Sequence, residues 1–267
     1  MGEITRLLGN VPPGSTKSLA TSCLWPAWKW SGKPHLRYIC AAYGSHLTTR
    51  DNRRFLSIVS HPLYREIWGD KFSITRDAVE QVINDRTGWK LATSVGGVGT
   101  GERADRIIID DPNNPNEVES ETVMQATTTW FREVMPDRLN NLQRSAIVVI
   151  QQRTSDLDVS GVILDLGLPY VHFQVPMEYD PLRHCVTVLG WQDPRGVDED
   201  GELLPSIGKD ARGNACVAPD SPLADTVGLL AWPERFSRES LDELKVAKGP
   251  WAWSSKYQML PVPRGGE

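Results

Sequence analysis

Two residue pairs in this chain have the types that phosphate chemistry needs. Lys17-Ser18 ends the stretch GNVPPGSTKS, and Asp110-Asp111 ends the run IIIDD. Backbone N–H groups at a helix start attract an anion, a lysine reaches outer phosphates, and the next hydroxyl can ligate magnesium. A carboxylate at the tip of a nearby strand can hold the same metal, and a second can orient or deprotonate water. The candidate cradle is therefore Pro13, Gly14, Ser15, Thr16, Lys17 and Ser18, with Ser18 and Asp110 as metal ligands and Asp111 as the group that polarises water. A third element is Gln151-Gln152 at the end of AIVVIQQ, where an amide could sense a terminal phosphate and pass its presence on.

The loop breaks the usual G-x-x-x-x-G-K-[ST] spacing, because Val11 and Thr16 stand at the two glycine positions. Taken alone, an ordinary strand-to-helix turn explains it better. The Asp pair, also placed at the end of a short buried strand, shifts the balance toward a nucleotide site.

The elements that must position these groups alternate. Strands are expected at 5–9, 36–44, 89–95, 104–112, 145–153 and 170–176, where β-branched and aromatic residues run together. Helices are expected at 18–30 with a kink or break near Pro26, at 49–59, 77–84, 118–135, 157–167 and 237–258. Alternating strands and helices imply an α/β fold with a mainly parallel sheet flanked by helices. Runs such as IIID and AIVVI suit a sheet covered on both faces. Residues 178–225, rich in Pro, Gly and Asp, read as long loops. With the helix that follows they suggest a small, helical, loop-rich C-terminal subdomain. The expected division is a core over 1–177, that subdomain over 178–260, and the start of a linker over 261–267.

Bulk properties narrow the class. The chain has 267 residues, 40% of them hydrophobic and 24% charged, which suits a globular α/β protein. No apolar run approaches the roughly 20 residues of a membrane span, and the first residues lack a secretory pattern. The formal net charge of −5 gives no support to a static nucleic-acid binder. Cys23, Cys40, Cys185 and Cys216 form no CxxC pair and read as reduced thiols. Trp25, Trp28 and Trp30 read as packing residues. Asp180, Asp193, Asp198 and Asp200 read as solvated.

The order PPGSTKS, SVGGVGTGERADRIIIDDP, IVVIQQRTSDLDVSG, LLAWPERFSRESLDELK and WAWSSKYQMLPVPRGGE resembles the large terminase subunit of tailed bacteriophages. It is most similar to the subgroup whose loop reads Pro-Pro-x-x-x-Lys-Ser. The resemblance covers nearly the whole chain and makes the loop a deviant Walker A carrying Lys17 and Ser18. It implies a P-loop NTPase fold, ATP and Mg2+ as cofactors, and a motor that drives double-stranded viral DNA into a procapsid. Portal protein, small terminase subunit and a homo-oligomeric ring are the implied partners, no membrane is involved, and the host cytoplasm is the implied location. A ring also implies an arginine that reaches the neighbour's ATP. Arg103 in TGERAD, offset by one residue from the family's place, is the candidate, with Arg106 as runner-up. Three departures stand out. Asp111 replaces the usual glutamate, only about ten residues precede the loop, and no second carboxylate cluster of a nuclease domain follows. The resemblance therefore covers an ATPase half without expected nuclease activity. A helicase-like motor and a non-catalytic assembly module are the competing readings.

Overall fold

The computed structural model describes residues 4–97, 101–202, 207–209, 215–217 and 221–262. The fold is built on one eight-stranded sheet: β1 (Arg6–Asn10), β2 (Arg37–Ala42), β3 (Ile74–Asp77), β4 (Gln81–Asn84), β5 (Trp89–Ser94), β6 (Arg106–Asp110), β7 (Ala146–Gln151) and β8 (Val171–Gln174). The spatial order is β3-β4-β5-β2-β6-β7-β1-β8. Six of these strands pair in parallel, and β3 and β4 add antiparallel pairings at one end. All parallel strands therefore finish at one edge of the sheet, and that edge carries the polar residues of interest.

The central strands are apolar because helices cover both faces. Ile107 and Ile109 on one face of β6 pack in a cluster with Leu8, Ile147, Val149, Trp130 and Phe131. Ile108 on the other face packs with Cys23, Trp30, Tyr38, Phe55 and Phe72. Burial of one such side chain is worth about 1.5–3 kcal/mol, so both faces hold β6 in place. The helices are α1 (Trp25–Gly32), α2 (Ser45–Ser60), α3 (Pro62–Trp68), α4 (Glu121–Thr129), α5 (Val159–Asp165) and α6 (Arg238–Lys256).

Several expectations are corrected. Residues 77–84 are not a helix: β3 and β4 form a hairpin there, with Val82 and Asn84 buried and Gln81 and Ile83 partly exposed. Its Ala, Glu and Gln content favours helix, but the pairing surface of β5 wins. α2 ends at Ser60, close to the expected end at 59, and a further helix not expected from the sequence, α3, begins at Pro62; Pro fits the first turn because its missing N–H is not needed there. The helix expected over 18–30 is present with its irregularity beside Pro26: a π-helical stretch, Leu19–Leu24, leads into α1, and the ring of Pro26, second residue of α1, would clash with an ordinary helical carbonyl four residues back. The long helix at 118–135 is α4 followed by a π turn over Trp130–Val134. Trp30 is fully buried, whereas Trp28 is 62% exposed with the Lys29 ammonium over its ring.

Beyond β8 the chain forms turns, short 3-10 segments and a small hairpin, β9 (Ile207–Lys209) with β10 (Ala215–Val217). Asp193 is not solvated: it is buried and paired with Arg195 at 2.6 Å. α6 kinks at Gly249-Pro250 and packs Leu241, Trp253 and Tyr257 around Met177. Among the described residues the four cysteines are free, and no helix is long and apolar enough to cross a membrane. The last residues of the expected linker, 263–267, lie outside the described residues.

Candidate active site

β1 ends at Asn10, and the loop from Val11 to Thr16 turns the chain into the helix that begins at Lys17. The turn is tight. Gly14 takes φ +79°, and Thr16, a β-branched residue, takes φ +59°. Ser15 Oγ donates to the Pro12 carbonyl at 2.8 Å, and Ala20 N donates to the Thr16 carbonyl at 3.1 Å. The sequence supplies Gly at one left-handed position only, so Thr16 is held there by its surroundings.

The loop brings Lys17 to the acids. Lys17 Nζ lies 2.8 Å from Asp111 Oδ2, with little solvent access to either side chain. Burial opposes the lysine charge, but Asp111 and Asp110 outweigh it and hold its pKa above the ordinary value. Asp111 is the first residue after β6 and adopts φ +43°. Its backbone accepts from Tyr43 N at 3.1 Å and donates to the Ile150 carbonyl at 3.0 Å, which fixes the turn between β2 and β7. Its Oδ1 accepts from Gln152 N at 3.0 Å.

Asp110 is the last residue of β6 and is 7% exposed. It accepts a hydrogen bond from Ser18, while its Oδ1 has no partner in the protein. Burial, then the neighbouring Asp111 charge, pushes its carboxyl up to about 7, with Lys17 and Ser18 pulling the other way. A buried carboxylate oxygen without a donor is a costly feature, and it suits a group that a cation completes. The donors present are hard oxygens, a carboxylate and a hydroxyl, which suits magnesium better than softer metals. Among the described residues no cluster of three or more His, Cys, Asp or Glu side chains could hold a metal alone.

β7 runs between β6 and β1, so its end lies between the acids and the loop. Its two glutamines part ways. Gln151 is buried, and its Nε2 donates to Ser160 Oγ at 2.7 Å, beneath α5. Gln152 is partly exposed and touches Asp111 through its backbone N–H. Sequence reasoning missed two neighbours. One is the buried Arg153–Asp158 pair just beyond Gln152, signalled by an Asp N-cap before α5. The other is Phe236, whose ring lies against Gly14.

The arginines are elsewhere. Arg103 is exposed and Arg106 opens β6, so both lie near the edge where the strands begin. Five residue steps separate Arg106 from Asp111, roughly 16 Å of strand. Arg106 Nη1 donates to the carbonyls of Asp105 at 2.7 Å and Arg144 at 3.1 Å. Neither arginine converges on the acids of its own chain.

No family model matches this chain, and no curated protein sequence matches it significantly. Solved structures do. A mutant of the large terminase ATPase domain of Thermus phage P74-26 is 14% identical, with a TM-score of 0.52 over 96% of this chain and 89% of that one. The large terminase of bacteriophage HK97 is 15% identical, with a TM-score of 0.44 over 66% of this chain and 36% of that one. The chain thus spans about a third of the HK97 protein. At these identities the likeness is one of fold: this chain has the fold of the P74-26 terminase ATPase domain.

Proposed function

We propose that this chain is the ATPase domain of a phage terminase large subunit, a Mg2+-dependent ATP hydrolase that drives viral double-stranded DNA into a procapsid. The observation that carries the reading is the convergence of Lys17, Ser18, Asp110 and Asp111 at the strand-end edge of the sheet. The fold shared with the P74-26 domain supports it.

The residues divide the work. The backbone N–H groups of Gly14–Ser18 surround the polyphosphate, and Lys17 neutralises its outer oxygens. Binding takes Lys17 away from Asp111, which frees that carboxylate to accept a hydrogen bond from the attacking water. Ser18 and Asp110 would hold Mg2+, which supplies charge neutralisation of the phosphates when bound. The backbone link from Asp111 to Gln152 gives β7 a direct report of the carboxylate's position, and Gln151 continues it to α5 through Ser160.

Arg103 sits at the far edge and serves, in this reading, the site of a neighbouring subunit in a homo-oligomeric ring. Arg103→Ala would then lower turnover of the assembled ring by roughly 10³–10⁵, the range for other arginine fingers. Mixing that variant with an Asp111→Asn variant would restore part of the activity, because each supplies what the other lacks. Portal protein and small terminase subunit complete the proposed partners, in the host cytoplasm.

The test is Mg2+-ATP hydrolysis with and without duplex DNA, for the wild type and Asp111→Asn. DNA-stimulated turnover that is lost in the variant supports the motor. Equal background rates in both proteins would favour an assembly module instead.

A further inference from the structure

We propose that Trp232, Arg235 and Phe236 form a stacking platform for the nucleotide's base. The proposal rests on the nucleotide reading of the Pro13–Ser18 loop and adds the part of the site that the loop cannot supply. A phosphate cradle is blind to the base, so the base needs contacts from another part of the chain.

Phe236 fixes the platform to the loop. Its Cζ lies 3.0 Å from the position a Cβ on Gly14 would take, so the ring rests on the bare backbone of the cradle. Gly14 is needed twice over, for its positive φ and for this close approach. Phe236 is itself anchored from below, packed on the cluster of Met177, Leu241, Trp253 and Tyr257. A turn then sets the other two side chains beside it. The Trp232 carbonyl accepts from Arg235 N at 3.1 Å and from Phe236 N at 3.0 Å.

The Arg235 guanidinium lies 5.3 Å from the Trp232 ring centroid and 5.6 Å from that of Phe236. Arg235 is exposed and forms no ion pair among the described residues. Trp232 keeps 39% of its surface exposed. An indole and a guanidinium in this arrangement present flat, polarisable surface to solvent, next to a loop built for phosphates. Purine bases stack well on both groups. Stacking does not read hydrogen-bonding edges, so ATP and GTP should use the platform alike.

Calorimetric titration of the full chain in Mg2+ with ATP, GTP and inorganic tripolyphosphate separates base from phosphate. Trp232→Ala and Arg235→Ala are expected to weaken ATP and GTP roughly tenfold or more while leaving tripolyphosphate unchanged. Trp232→Phe should recover most of the loss. Unchanged ATP affinity in both alanine variants overturns the platform. So does an equal loss for tripolyphosphate, which would mean that the segment merely shapes the loop or contacts phosphate. A wild type that binds tripolyphosphate no better than Lys17→Ala removes the phosphate-loop reading and the platform with it.

Discussion

Two ion pairs stand at the same edge of the sheet, the part-buried Lys17–Asp111 and the buried Arg153–Asp158, and they are built differently. Asp158 is fully buried and saturated. Arg153 Nε donates to both of its oxygens at 3.1 Å, and the backbone N–H groups of Thr154, Ser155 and Gly161 donate at 2.8, 3.3 and 2.8 Å. Asp111 accepts from Lys17 and Gln152 N only, on a residue with left-handed backbone, beside an Asp110 oxygen that has no donor. A saturated pair has nothing to offer a ligand. An undersupplied pair holds a place that a polyanion and a cation can take over. On the proposed function, the count of donors on the carboxylate is what would separate a structural pair from a working one.

The largest expected effect breaks the comparison on the working side. Asp111→Asn keeps the shape but removes the charge, and turnover should fall roughly 10²–10⁴-fold. Unfolding free energy should change little, because the lost Lys17–Asp111 attraction is offset by the relieved Asp110–Asp111 repulsion and Lys17 keeps Asp110 beside it. Paired ATPase assays and urea melts check both halves. A variant that loses stability and activity in proportion would place Asp111 with Asp158 as a structural residue.

Asp158→Ala should do the opposite. It strands Arg153 without its partner in a dry site and removes the N-cap of α5, so it should cost about 3–5 kcal/mol of stability. The neck is tight as well: a Cβ on Gly161 would stand 1.7 Å from the Asp156 carbonyl oxygen. Urea melts read the loss. A change under about 1 kcal/mol would mean that saturation does not translate into stability, and the contrast between the two pairs would fail.

The sequence made the residues of the Lys17–Asp111 pair legible and left the Arg153–Asp158 pair unread, for physical reasons. Asp-Asp after III is a local pattern that ends a short apolar strand, whereas Lys-Ser opens a helix after a loop of unusual spacing and gains meaning only beside the acids. Strand order is non-local, and nothing in the run AIVVIQ says that β7 lies between β6 and β1. The two glutamines look equivalent in sequence, yet strand alternation sends one side chain under α5 and leaves the other at the rim. The window DAVEQVIN reads as helix until the edge of β5 is there to pair with it. Arg103 is near the Asp strand in sequence but lies at the edge where that strand starts, the one distance a linear reading cannot measure. Phe236 is more than 200 residues from Gly14 and carries no motif that would join them.

A buried network between the two pairs gives the smallest effect and sharpens the comparison. His172 Nε2 lies 2.8 Å from Asn10 Oδ1, Asn10 Nδ2 donates to Ser160 Oγ at 2.8 Å, and Gln151 donates to the same hydroxyl. This links β8, β1, α5 and β7 with neutral groups only. Burial, and then the Arg153 charge, lowers the His172 pKa to about 4. The unfolded value is near 6.5. The folded state therefore binds fewer protons than the unfolded one between those two values. The contribution of a neutral His172 is complete above pH 6.5 and is lost as pH falls toward 4, by at most roughly 3 kcal/mol. His172→Gln keeps a donor for Asn10 but cannot titrate. The difference in stability between wild type and this variant, followed by urea melts from pH 7 to pH 4, should shift against the wild type over that window. A difference that stays constant with pH would mean His172 titrates alike in both states, and the network would then be open to water rather than sealed like the Asp158 pair beside it.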